Sequence, residues 1–258
     1  MDNPVHRTKT ILGDYKIVDR KPSSGVPVFI VFLSMCLIAT YLWFDSGEHA
    51  QETEVEHLAS GQVAQDPSAS LQAAIKGGSF KDIQGIVEDI DEAALNAVFN
   101  GMTPVMTASS VGDARIVELL LNNGANPNKR GSADRTALQY AAEKNHIAVA
   151  RKLLEFGADI DAYDNTRLTP LIMAADRAYT DLGILLIESG ADVNIQHVQG
   201  WTALIDAASN GNMKLVRHLL TAGADRESST SSGWRAIDFA RQNKHEEIVV
   251  LLAEYDAL

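Results

Sequence analysis

The stretch TALIDAASNGN at residues 202–212, with LVRHLLTAGADRE just after it at residues 215–227, decides how this chain is read, because its pattern keeps returning. Its opening slot is held in turn by Thr103, Thr136, Thr169, Thr202 and Arg235, always 33 residues apart. Gly124, Gly157, Gly190 and Gly223 keep the same interval and open the phrases GANPN, GADID, GADVN and GADRE. Two unrelated residue types at one period, without an insertion, mean a stacked array of like units.

Each residue of the pattern has a physical reason. Pro104 and Pro170 suit the first turn of a helix, and the Thr before each can cap exposed backbone donors. Ala108, Ala141, Ala174, Ala207 and Ala240 are small enough for neighbouring helices to approach closely. The pairs Leu120/Leu121, Leu153/Leu154, Leu185/Leu186 and Leu219/Leu220 supply an apolar stripe to bury between units. The four glycines follow the second helix, where a positive φ is cheap only for Gly. Asp159, Asp192 and Asp225 are expected to hold the turn by bonds to backbone donors.

The unit resembles the ankyrin repeat: TPVMTASSVGD, TALQYAAEKNH and TPLIMAADRAY stand where that family has its first helix, and VARKLLEFGADID and GILLIESGADVN where it has its second. The resemblance covers about residues 69–258. It implies an all-α ankyrin-repeat solenoid of helix-turn-helix units with β-turn or hairpin loops. Six units are expected, the first and last being caps, since residues 69–99 lose the Thr-Pro and Gly-Ala-Asp marks and Arg235 replaces Thr in the last.

Ahead of the array, residues 26–44 (VPVFIVFLSMCLIATYLWF) carry no charge. As a helix they would be roughly 28 Å long, close to the hydrocarbon core of a bilayer, with Tyr41 and Trp43 at one end as an aromatic belt. A single transmembrane helix is expected there. A cleaved signal peptide fits less well, because a polar tail comes first and bulky residues close the run. Residues 1–25 read as a tail and residues 45–68 as an acidic linker, broken at its end by Asp66 and Pro67.

Five Lys or Arg precede the span, and none follows it until Lys76. The positive-inside rule then makes the tail cytoplasmic and the repeat body external, which in a bacterium means inner membrane and periplasm. The body from residue 70 onward holds 25 acids against 17 bases, a balance that argues against nucleic acid as a partner. Cys36 is the sole cysteine, and it lies in the apolar run.

No metalloprotease, nucleophile-elbow or phosphate-loop motif occurs, so no catalytic residue, metal, cofactor or small-molecule substrate is expected. His146 and His245 share one slot of the repeat and are assigned a structural role. Binding of another protein, or of a membrane protein complex, is what the architecture implies, through the concave helix face and the turn tips. Positions that vary while the framework repeats are the candidates. On the turns these are Tyr163, Ile195, His197, Val198 and Trp201, with Ile195 and Val198 read as exposed. On the first helix of each unit they are Tyr140, Glu143, Lys144, Met173, Asp176, Arg177, Asp206 and Phe239. Tyr140, Met173 and Phe239 are either apolar anchors at an interface centre or residues that finish the core. Three functions compete: a membrane-tethered scaffold, an accessory subunit of an envelope membrane complex, and a periplasmic immunity or inhibitor protein that neutralises a toxin or enzyme.

Overall fold

Asp66 and Pro67 begin a helix rather than end a linker. The Asp66 carboxylate accepts a hydrogen bond from the Ser68 backbone at 2.9 Å, and Pro67 fills the first turn, where no donor is needed. The array therefore starts about three residues earlier than the sequence suggests. In this computed structural model the described residues are 66–254. The tail, the apolar run at 26–44 and most of the linker lie outside them.

Six helix pairs follow one another. They are α1 (Pro67–Gly77) with α2 (Phe80–Asp89), α4 (Pro104–Val111) with α5 (Ala114–Asn122), and α6 (Ala137–Glu143) with α7 (Ile147–Glu155). Then come α8 (Pro170–Asp176) with α9 (Thr180–Glu188), α10 (Ala203–Ser209) with α11 (Met213–Thr221), and α12 (Ala236–Gln242) with α13 (Glu246–Glu254). A short α3 (Glu92–Leu95) joins the first pair to the second. The first helices pack side by side in the order α1, α4, α6, α8, α10, α12, and the second helices form a parallel row behind them. The six expected units are present, and no helix among the described residues is long and apolar enough to cross a membrane.

The repeated residues act as their slots imply. Thr103, Thr169 and Thr202 accept bonds from Met106, Ile172 and Ile205 at 3.4, 3.2 and 3.3 Å. Each such cap is worth about 1 kcal/mol. Where Arg235 takes the Thr slot, Asp238 reaches back to accept from the Arg235 backbone at 3.0 Å, so the helix start is held from the other side. The five alanines are fully buried, and the leucine pairs line the continuous core.

Between units the chain forms a finger. Gly131, Asp164, His197 and Thr230 each donate a backbone bond to the residue four ahead, and neighbouring fingers are tied by single bonds such as Val198 to Thr166 at 3.2 Å. Behind the fingers, Asn128 and Asn194 each accept from the Gly-Ala-Asp turn of the next unit and donate to its glycine carbonyl. Asp159, Asp192 and Asp225 accept from the backbone two residues on, as their slot predicts. His146 and His245 donate from Nε2 to the carbonyls of Ser110 and Ser209 in the preceding unit, at 3.2 and 3.1 Å. The His245 ring lies over Gly211, where an added Cβ would sit 2.6 Å from it at a φ of 71°, so only glycine fits. These histidines are structural.

Candidate protein-binding face

The finger side of the first-helix row carries most of the variable residues, and two slots five residues apart build it. One slot precedes each Thr and holds Met102, Arg135, Leu168, Trp201 and Trp234. The other lies on the helix and holds Thr107, Tyr140, Met173, Asp206 and Phe239. Side chains from the two slots meet: Arg135 lies over the Tyr140 ring at 4.7 Å, and Trp201 and Trp234 both pack on Phe239, with ring centres 4.6 and 5.2 Å away.

Around α6 the face is electrostatically closed. Arg135 bonds Glu143 at 2.7 Å, and Arg177 of the next unit approaches the same carboxylate at 3.6 Å. Burial works against the charge on Glu143, but the bond from Arg135 and the fields of Arg135, Lys144 and Arg177 outweigh it and lower its pKa. Lys144 itself is exposed.

At the fingertips Tyr163 is exposed and lies between two guanidinium groups, Arg130 at 5.8 Å and Arg167 at 5.3 Å from its ring centre. Arg130 also donates to the Tyr163 carbonyl at 2.8 Å, which fixes this cationic tip.

Around α10 the face is different. His197 stacks on Trp201 at 6.4 Å, its Nδ1 accepting from the Gln199 backbone, and burial lowers the His197 pKa against the field of Asp176. Asp206 is only 7% exposed. Burial, and then the neighbouring Asp176 carboxylate, push the Asp206 pKa up to about 8. No hydrogen bond or ion pair engages the Asp206 or Asp176 carboxylate among the described residues.

Several expectations change at this point. Asp206, a candidate surface position in sequence, is largely buried. Met173 is 5% exposed and belongs to the core, while Tyr140 and Phe239 are half-buried and keep an open edge. Ile195 packs partly against the core and is not exposed, whereas Val198 stands out at 63%. Asp176 and Arg177 are exposed at the end of α8. Arg135, Arg167 and Trp234 belong to the face and were not singled out from sequence. For Arg135 and Trp234 the available signal was the variety of the slot before each Thr, which holds Met, Arg, Leu, Trp and Trp; Arg167 stands one residue earlier in its unit.

The comparisons with known proteins agree with this architecture. The family described as "Ankyrin repeats (3 copies)" matches residues 54–164, 109–197 and 171–257. The chain belongs to the ankyrin-repeat family, whose repeats are typically non-catalytic and bind proteins. Human M-phase phosphoprotein 8 is 36% identical over 82 residues, which is 31% of this chain. The matched segment is 10% of that relative.

Proposed function

We propose that this chain is a single-pass membrane-anchored scaffold or accessory subunit, which binds a partner protein through the finger side of its first helices. The observation that carries the binding half is the face itself: half-buried Tyr140, Trp201 and Phe239 and exposed Trp234 lie among Glu143, Asp176 and Arg177 on a frame of bonded repeats. Aromatic anchors inside a polar rim are what a protein interface needs.

The anchoring half rests on the uncharged run at 26–44 and on the five basic residues ahead of it. Under this reading the tail is cytoplasmic and the repeats face the periplasm of a bacterium. The partner is then an envelope protein or membrane complex, and Cys36 would lie inside the bilayer.

A photo-crosslinking residue placed at Trp234 in the full chain, in living cells, tests the binding half. A discrete protein adduct is expected there and not with the same residue at Gln84 on the second-helix row. Equal or absent labelling at both positions would remove this face as the binding site. A soluble enzyme as the adduct would favour the inhibitor reading, and a set of membrane subunits the accessory one. Reporter fusions at the two chain ends test topology, and a cytoplasmic C-terminus would end the envelope assignment.

A further inference from the structure

We propose that the face around Asp206 is a receptor for one lysine or arginine side chain of the partner protein, seated against the Trp201, Phe239 and Trp234 rings with Asp176 at its rim. This deepens the protein-binding reading and rests on it.

Asp206 is the argument's centre. A carboxyl group on a residue that is only 7% exposed normally has a hydrogen-bond donor or a cation beside it, because removing most of its charge from water without one is costly. Asp206 has neither among the described residues, and its nearest charged influence, Asp176, has the wrong sign. Its slot is the one whose other members, Tyr140 and Phe239, meet the finger residues, so its small remaining exposure opens toward the same face.

The protein's own cations do not pair with Asp206 among the described residues. Arg177 on α8 approaches Glu143 at 3.6 Å, and Arg241 on α12 approaches Asp238 at 3.6 Å. Asp206 and the exposed Asp176 therefore keep no ion-pair partner among the described residues, and the aromatic rings of the same face attract a cation over their planes. Charge complementarity selects a positively charged side chain as the occupant.

Occupation has a proton signature. The titratable or charged groups on elements packed against α10 are Asp176 on α8 and Arg177 just after it, Lys214, Arg217 and His218 on α11, Arg235, Asp238 and Arg241 at and on α12, His245 ahead of α13, and His197 in the adjoining finger. Of these, Asp176 is the one that acts on Asp206. At pH 7 the empty site holds Asp206 protonated, and an arriving cation stabilises the carboxylate, so the proton leaves to solvent as the ion pair forms.

The test uses the full chain in detergent and blocked pentapeptides, Gly-Gly-Xaa-Gly-Gly, with Arg, Lys, citrulline or norleucine at the centre. Binding is read by calorimetry at pH 7 in two buffers of different ionisation heat. Saturable binding of the Arg and Lys peptides with release of about one proton is expected, and none for citrulline or norleucine. Asp206→Asn should weaken binding about thirtyfold and abolish the proton release. Glu188→Gln, which removes the same charge on the second-helix row, should change neither. Far-UV circular dichroism checks that each variant is folded.

Equal binding by Asp206→Asn, no binding at millimolar peptide, or binding without proton release would each overturn the proposal. A crosslinked partner that is retained by Asp206→Asn would overturn it too, while leaving the scaffold reading intact. Loss of every crosslink in the unsubstituted chain would instead count against that reading.

Discussion

The face around α6 and the face around α10 are built from the same two slots, yet one pairs its carboxylate with a cation of the protein and the other does not. Around α6, Arg135 supplies both a cation for Glu143 and a plane for Tyr140, so charge and ring are answered within the protein. Around α10, the matching slots hold Trp201 and Asp206, and the carboxyl group has no cation. The difference shows that a repeat frame can hold one position at constant geometry while the side chains there turn a closed surface into an open one.

The two faces also respond to pH in opposite senses. Glu143 has a lowered pKa in the fold, so its contribution is present above its unfolded value near 4.5 and is lost as pH falls through the folded value. Asp206 has a raised pKa, so the fold holds an extra proton between about 3.8 and about 8. Its contribution is complete below the unfolded value and disappears as pH rises through the folded one.

The largest expected effect breaks the comparison at the unit between the two faces. Met173→Ser should cost about 3–5 kcal/mol in urea unfolding, since it opens a cavity in the core and buries a hydroxyl. Tyr140→Ser, at a slot that keeps an open edge, should cost less than half of that. Equal costs would show that the slot is uniformly core.

Next is Asp206→Asn, which removes the titration. Its melting temperature should match that of the unsubstituted chain near pH 4 and exceed it increasingly up to pH 8, by a stabilisation on the order of 5 kcal/mol at the top of that range. A constant difference across that window would mean that Asp206 titrates normally.

A smaller change is expected from Arg135→Ala. Loss of the 2.7 Å ion pair and of the stack on Tyr140 should destabilise by about 1–2 kcal/mol and raise the Glu143 pKa, read by carbon NMR across an acid titration. An unmoved Glu143 would mean that Arg177 alone holds it.

The smallest effect sharpens the contrast at the fingertips. Val198→Ser, at an exposed position, should shift stability by less than about 0.5 kcal/mol, while Ile195→Ser, partly packed on the core, should cost about 1–2 kcal/mol in the same unfolding measurement.

Much of the fold was legible because stacking depends on residues that recur. Thr at the helix start, Ala at the close approach, Leu in the stripe and Gly after the second helix each repeat for one local reason, and all behave as their slots imply. The beginning of the array was misplaced because Asp66-Pro67 is both a linker break and a helix start in sequence. Only the bond from Ser68 to Asp66 tells the two apart.

The candidate face was legible in part. Tyr140, Glu143, Asp176, Arg177, Trp201 and Phe239 were singled out from their variation on a fixed frame, whereas Arg135, Arg167 and Trp234, which stand beside them on the same face, were not. The depth of each side chain could not be read in the same way. Val198 and Ile195 sit three residues apart in one finger and are equally apolar, and what separates them is contact with the core of their own unit.

By itself the sequence determined the number of units, their helices and the side on which the variable residues stand, because a strict 33-residue period leaves no other packing for the repeated ones. The tertiary structure alone decided that Met173 is core, that Arg135 answers Glu143 and that Asp206 is buried without a cation. Those outcomes depend on side chains a full repeat or more away in sequence, which only stacking brings together.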